Sequence, residues 1–231
     1  MQRQLFWYKS RSLLRIRGVK LKNRWLNLLH YPEFFTDPGD VVMARPLSPQ
    51  KHAALLDAAV ITLAENGLSA TTASIAKRAD VAVGTLFTYF PTKEQLLNDV
   101  YLMLKADMAD VLVTDYPKDA DFRTQIIHVW RSYTEWSLRN PAGKRVLRLL
   151  AVSDLLTPET LAKTPESLNL ADRMFDSAIK HSLFVTDEKE FIYAVLQNIS
   201  DATSDQIEKK PDEKEALLAL GFRMMWNAIS A

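Results

Sequence analysis

The sequence predicts an all-α protein in which a small N-terminal helical domain precedes a larger helical body. Apolar residues recur at helical spacing through most of the chain, Gly and Pro separate these segments, and no stretch shows the alternation of a half-buried strand. The 231 residues are 48% hydrophobic and 25% charged, which is the composition of a globular protein that can bury a sizeable core.

The first helix of the small domain is predicted between Ser48 and Gly67. Ser48 is a good N-cap and Pro49 suits the first helical position, where its missing N–H is not needed. Gly67 can adopt the left-handed conformation that ends a helix. His52, near the start, is expected to face solvent.

Two short helices joined by a tight turn follow, and their arrangement predicts a helix-turn-helix. Thr71 can cap the first of them, from Thr72 to Ala79, and Pro91 ends the second, which begins at Gly84. Four residues lie between the helices, enough to turn the chain through about 90 to 120 degrees. We expect Gly84 to allow close contact between them. The second helix is the one that enters the major groove in such motifs.

Residues 48–97 resemble the N-terminal domain of the tetracycline-repressor family, TetR/AcrR. The family pattern is a helix ending in Gly, a Thr-capped helix with Ile-Ala, and a Gly-Thr-Leu-aromatic run closed by Phe-Pro-x-Lys. It is matched here by Gly67, Thr71, Ile75-Ala76, Val81, Gly84-Thr85-Leu86-Phe87, Tyr89-Phe90-Pro91 and Lys93. The resemblance implies a DNA-binding transcriptional regulator, a homodimeric repressor released from a palindromic operator by a small-molecule effector.

Two positions depart from the family pattern. Ala82 stands where the family usually has a capping Ser, and Phe87 where it usually has Tyr. Both changes remove a donor to the DNA backbone. We expect Thr85, Tyr89 and Lys93 to contact the backbone, and Val83 and Thr88 to face bases. The full predicted DNA-binding set is Arg45, Thr72, Ala82, Val83, Thr85, Leu86, Thr88, Tyr89 and Lys93.

A long helix predicted from Lys93 to about Val113 leaves the small domain and enters the body. Further helices are predicted over 121–139, 142–153, 158–163, 165–182, 187–207 and 212–230. The predicted domains are therefore an extension over 1–42, a helix-turn-helix domain over 43–95, and an all-helical effector-binding and dimerisation domain over 96–231.

Sites in the body follow only from the resemblance, because aromatic and Met side chains at helical spacing more often fill a core. In the family, central helices enclose a cavity and the last two helices pair in a dimer. By position, the effector residues would be Met108, Trp130, Tyr133, Trp136 and Met174. The dimer residues would be Phe191, Val195, Leu218, Phe222 and Met225.

Residues 1–42 are unusually basic, with eight of the 29 Lys and Arg residues and three of the 28 Asp and Glu residues. Basic residues interrupt the apolar ones every few positions from Lys9 to Arg24, so we expect neither a signal peptide nor a membrane span. Two interpretations compete. The segment is dispensable to a working protein that starts near Met43, or it is a basic arm for DNA or a membrane surface.

Composition and motifs disfavour an enzyme. The absence of Cys excludes disulfides and thiolate sites, and fits a reducing cytoplasm. The four His are scattered without metal-ligand spacing, and there is no Gly-rich phosphate loop. We expect no cofactor, no metal and no membrane partner. The alternative to a regulator is a helical protein-interaction module without specific DNA binding.

Overall fold

The computed structural model describes residues 47–163 and 168–231, so the predicted extension over 1–42 and the predicted DNA contact Arg45 lie outside the described residues. The helices are α1 (Pro49–Asn66), α2 (Thr72–Arg78), α3 (Val83–Tyr89), α4 (Lys93–Val113), α5 (Phe122–Arg139), α6 (Pro141–Ala151), α7 (Pro158–Ala162), α8 (Leu168–Lys180), α9 (Lys189–Lys209) and α10 (Lys214–Ile229). The all-α prediction is confirmed.

Helix ends follow the local chemistry that the sequence indicated. The Thr71 hydroxyl accepts a hydrogen bond from the Ser74 N–H at 3.1 Å and caps α2. Thr92 caps α4 in the same way. Gly67 has a φ of +69°, the left-handed conformation expected after α1. These boundaries could be predicted because each depends on residues within one turn of the helix end.

Helices α1 to α3 form the small domain around a shared apolar core. Leu55 and Leu63 of α1, Ile75 of α2 and Leu86 of α3 are all fully buried. His52 belongs to this core, and the prediction that it faces solvent is wrong. It is 8% exposed because it lies one turn before Leu55 on the inward face of α1.

The expectation for Gly84 is also wrong. A Cβ built on Gly84 would meet no atom within 4 Å, so the packing of the small domain does not require a glycine there. The turn depends instead on Asp80, whose φ is +55°. The Val81 N–H donates to the Ala76 carbonyl at 3.0 Å and closes the end of α2. Gly84 therefore leaves open space on the outer surface of α3.

Helix α4 joins the small domain to the body. Its first half buries Leu96, Leu97 and Val100, and its second half buries Met108 and Leu112 in the body. The Asn98 amide ties α4 to the segment after α6, since it donates to the Leu155 carbonyl at 3.0 Å and its oxygen accepts from the Thr157 N–H at 3.0 Å. The predicted long linking helix is confirmed.

The body is built on α5, which packs between α4 and α9, while α10 lies along α9. A Cβ on Gly221 of α10 would come within 2.8 Å of the Trp130 ring, so these helices approach closely only because this residue is glycine. An isolated antiparallel bridge between Phe184 and Ser230 ties the C-terminus to the loop before α9. Within the described ranges, no helix combines the length and apolar character needed to cross a membrane.

The buried His52 predicts a pH-dependent stability of the small domain. Burial lowers the pKa of His52 below its usual 6.5. Protonation of His52 therefore favours the unfolded chain over the folded domain. The small domain has its full stability above pH 6.5 and loses stability as the pH falls below that value. We expect the stability of His52→Phe relative to the wild type to increase as pH falls from 7.5 to 5.5. Hydrogen exchange of the α1 and α3 amides measures this, because all described tryptophans lie in the body.

A constant difference between the two proteins over this pH range would show that His52 does not titrate on unfolding. His181→Phe, at an exposed position, is the control for the general effect of replacing a histidine with phenylalanine.

Candidate nucleic-acid interface and ligand cavity

The outer surface of α3 is unusually apolar for an exposed helix. Val83 is 39% exposed and Phe87 is 43% exposed, and they lie four residues apart on one side of a seven-residue helix. Gly84 and Thr88 are exposed beside them. A helix of this length that leaves two large apolar side chains in water is placed for contact with a partner rather than for packing alone.

The structure divides the predicted α3 residues between this surface and the core. Ala82, Val83 and Thr88 are exposed, and the Thr88 hydroxyl donates to the Gly84 carbonyl at 3.0 Å. Thr72, Thr85 and Tyr89 are half-buried at the edges of the surface. Leu86 is fully buried, so its predicted side-chain contact with DNA needs correction. A short helix stays packed against its neighbours only if an apolar side chain faces them. In α3 this side chain is Leu86, the buried residue of the helix.

The start of α3 lacks the side-chain cap that the resemblance implies. Ala82 occupies the N-cap position in an extended conformation and makes no side-chain hydrogen bond. Its carbonyl accepts from the Thr85 N–H at 2.9 Å, so the helix is closed by backbone bonds alone. The prediction that Ala82 leaves α3 without a side-chain cap is confirmed.

Basic side chains near α3 differ in their availability. The Lys93 ammonium donates to the Leu68 carbonyl at 2.7 Å, and the residue is half-buried. Lys93 thereby links the start of α4 to the end of α1. Arg78 pairs with Glu65 on the surface. Lys77 is exposed on α2, beside the turn that leads into α3.

The body contains a cavity of about 330 Å³ that lies among five helices. This volume is at the lower end of the range of small-molecule sites. The cavity is lined by Tyr101, Lys105, Met108 and Leu112 of α4, Val129 and Tyr133 of α5, Leu147 and Ala151 of α6, Asp172 and Phe175 of α8, and Tyr193, Leu196 and Gln197 of α9.

Two of the five predicted effector residues, Met108 and Tyr133, line this cavity. Trp130, Trp136 and Met174 are buried elsewhere in the body. Tyr133 lines the cavity, whereas the Trp130 ring lies against Phe222 of α10, with ring centres 6.4 Å apart. The Trp136 indole N–H donates to the Asp107 carboxylate at 2.7 Å. The predicted residues lie on α4, α5 and α8, which all line the cavity, but helical periodicity alone does not determine which side of each helix faces it.

Polar groups in the cavity wall were not singled out by sequence. Burial lowers the pKa of Lys105, and the ammonium lies 6.0 Å from the centre of the Tyr101 ring. Asp172 accepts from Lys189 at 2.7 Å and from the Tyr193 hydroxyl at 3.0 Å, and these bonds lower the pKa of its carboxyl. A signal for Lys105 existed, because it interrupts the apolar stripe formed by Tyr101, Met108 and Leu112.

A second apolar surface lies on α9 and α10. Phe191 is 64% exposed, Met224 is 57% exposed and Leu220 is 41% exposed. Among the residues predicted for dimerisation, Phe191 is on this surface, and Val195 and Phe222 are half-buried.

Two predicted dimer residues need correction. Leu218 and Met225 are 3% and 0% exposed in the core of the single chain. Helix α10 is apolar on most sides, so the sequence pattern could not separate its inner face from its outer one. Leu220 and Met224 are the large apolar side chains that α10 exposes, and neither is in the set predicted for dimerisation.

Within the described residues, no group of three or more His, Asp or Glu side chains is arranged to hold a metal ion. The described residues present an exposed apolar surface on α3 and a cavity in the body.

Comparison with known proteins agrees with this description. The family model for "Bacterial regulatory proteins, tetR family" matches residues 55–100, which include α2, α3 and parts of α1 and α4. A putative tetR family transcription regulator from Shewanella sp. PV-4 has a similar structure, with a TM-score of 0.69 and 23% identity over 78% of this chain and 98% of that one.

A TetR family regulator from Marinobacter aquaeolei VT8 gives a TM-score of 0.69 and 23% identity over 78% of this chain and 95% of that one. A TetR-family transcriptional regulator from Haemophilus influenzae gives a TM-score of 0.63 and 18% identity, over 79% of this chain and 97% of that one. The likeness therefore extends through the body as well as the small domain. Residues 55–100 therefore match the family model of the tetR bacterial regulatory proteins, and the chain as a whole shares its fold with solved structures that bear that family's name.

Proposed function

We propose that this protein is a homodimeric repressor that binds a palindromic operator through α3 and is released by a small molecule bound in the body. It acts in the cytoplasm, where its DNA is, and it is not an enzyme. The observation that carries the proposal is the exposed surface of α3, with Val83 and Phe87 in water within a segment that matches the tetR family.

Contacts to DNA divide by position on α3. Val83, Thr88 and Phe87 are on the outer side, where apolar and hydroxyl groups suit the edges and methyl groups of bases. Thr85, Tyr89 and Thr72 lie at the margins, where hydroxyls can donate to phosphates. Lys93 can do the same, because an ammonium bonded to the Leu68 carbonyl still has further N–H donors.

Dimerisation is proposed through α9 and α10. The two helices pack against each other within the chain and still leave Phe191, Leu220 and Met224 exposed. A second copy would remove these side chains from water, and each buried large apolar side chain contributes about 1.5 to 3 kcal/mol. A two-fold dimer would place two α3 helices on half-sites about 34 Å apart, one turn of DNA.

Two helices can carry a change in the cavity to the small domain. Helix α4 lines the cavity with Tyr101 and Met108, and its first turns lie in the core beside α1. Helix α6 lines the cavity with Leu147, and it contacts the 3-10 turn at Gly67–Ser69. A ligand that shifts either helix would therefore tilt α3 and change the spacing of the two recognition helices.

Replacing Phe87 with Glu tests the DNA-binding surface. The added carboxylate would bring a negative charge into the groove of a polyanion, and the fold should survive because Phe87 is 43% exposed. We expect Phe87→Glu to weaken binding at least tenfold, or about 1.4 kcal/mol. Fluorescence anisotropy with a duplex from the intergenic region beside the protein's own gene, measured over a range of salt concentrations, gives both affinity and salt slope.

Val152→Glu is the matched control, since it adds the same charge to a side chain that is 88% exposed in the body. It should bind DNA as the wild type does. Equal affinity for Phe87→Glu and the wild type would exclude α3 as the DNA-contacting element. If the wild type itself showed no preference over random duplex, the interaction-module alternative would be favoured.

Starting the chain at Met43 tests the predicted extension over 1–42. We expect this shorter protein to fold, dimerise and bind the same duplex within a few fold of the full chain. The salt slope is the sensitive measurement, because each phosphate neutralised by Lys or Arg changes it by about one unit. A sharp fall in both affinity and salt slope would instead identify residues 1–42 as a basic arm on DNA.

Replacing Met224 with Glu tests the dimer surface. The wild type should sediment with twice the 26.3 kDa mass of one chain. We expect Met224→Glu to shift the protein to monomer, because the charge must be desolvated in the interface. Analytical ultracentrifugation measures this, and circular dichroism should show unchanged helix content. Val152→Glu should remain dimeric, and a dimeric Met224→Glu would place the interface elsewhere.

A further inference from the structure

The cavity wall has one basic side chain, Lys105 of α4, among its described lining residues. No hydrogen bond or ion pair to the Lys105 ammonium is formed by side chains of residues 47–163 or 172–231, and the ammonium lies 6.0 Å from the centre of the Tyr101 ring. Withdrawing an ammonium from water without an anionic partner is unfavourable. The consequence is visible in its pKa, which burial lowers.

The acidic group of the cavity does not supply the missing partner. The Asp172 carboxylate is bound to the Lys189 ammonium at 2.7 Å and to the Tyr193 hydroxyl at 3.0 Å. Its charge is therefore matched outside the cavity wall. Among the described residues, the cavity thus presents one cation without a counterion and one anion with a counterion.

The rest of the wall is apolar or aromatic. Met108, Leu112 and Val129 provide aliphatic surface, and Phe175 and Tyr193 form a packed pair of rings with centres 4.5 Å apart. A volume of about 330 Å³, at the roughly 30 Å³ that one water occupies in the liquid, holds about eleven non-hydrogen atoms. Such a site favours a small apolar body with a single charged end.

We propose that the cavity binds an apolar monocarboxylate whose carboxylate pairs with Lys105. This inference rests on the proposed function, because it names the chemical class of the effector. An ammonium and a carboxylate that meet in a water-poor site form a strong charge-assisted hydrogen bond. The aliphatic or aromatic body of the ligand would occupy the space beside Leu112, Val129 and Phe175.

The test compares ligands that differ only in the charged end. Isothermal titration calorimetry of the full chain without DNA would use decanoate, the neutral decanol and the cationic decylamine, with 4-phenylbutyrate as an aromatic acid. We expect at least one of the two acids to bind the wild type tenfold or more tightly than decanol, and decylamine not to bind. Equal affinity for both acids and decanol would overturn the proposal.

Lys105→Met removes the charge and keeps an unbranched apolar side chain. We expect it to lose at least tenfold in affinity for the acid while its affinity for decanol stays the same or rises. Lys105→Gln serves as a second variant if the first is poorly folded. Lys118→Met, on the exposed segment between α4 and α5, is the matched control and should bind the acid as the wild type does. Acid affinity that Lys105→Met leaves unchanged would also overturn the proposal.

Coupling to DNA separates this inference from the proposed function. Saturating acid should lower the affinity of the protein for the operator duplex by some factor. Saturating duplex should then lower its affinity for the acid by the same factor. Acid binding through Lys105 without any DNA binding would contradict the repressor and keep the ligand site. DNA binding by a protein that does not prefer the acid to decanol would keep the regulator and contradict the ligand class.

Discussion

The structure depends on one continuous helix, α4, that runs through the shared apolar core. Helix α4 contributes Leu96 and Leu97 to packing near α1, and Met108 and Leu112 to the body. A helix of 21 residues is about 31 Å long and is stiff along its axis. Its two ends therefore cannot be repacked independently. A displacement of α4 at the cavity would therefore also move its first turns beside α1, as the proposed switch requires.

The contacts around α4 reinforce the link at several points. Lys93 is bonded to the Leu68 carbonyl at the end of α1, and Asn98 is bonded to backbone on the far side of α6. Polar bonds of this kind have a narrow range of lengths and directions, so they select discrete arrangements rather than a continuum. The buried Asn98 side chain has its amide and its oxygen both engaged, as buried polar groups require.

Exposed apolar side chains mark where the isolated chain is incomplete. On α3 they are Val83 and Phe87, and on α9 and α10 they include Phe191 and Met224. Inside the body the opposite feature occurs, since the ammonium of Lys105 is withdrawn from water without an anionic partner among the described residues. Each is unfavourable for the chain alone, and the proposed DNA, second copy and carboxylate would each cover or neutralise one of them. Local sites that cost stability in this way are typical of functional surfaces.

The sequence by itself determined the helical class, most helix boundaries and the identity of the small domain. Thr71, Thr92 and Gly67 act through hydrogen bonds and dihedral angles within one turn, so their roles are readable without a fold. Ala82 likewise leaves α3 without a side-chain cap, as its short apolar side chain implied.

Tertiary structure alone decided which side of each helix faces inward. His52, Leu86, Trp130 and Met225 are buried because of neighbours distant in sequence, and an apolar helix such as α10 offers no polar face to set its rotation. The cavity arises in the same way from five helices, and no local pattern could reveal that Lys105 and Tyr193 share it. Helical periodicity predicts which residues form the apolar face of a helix. Packing against other helices determines which residues that face contacts.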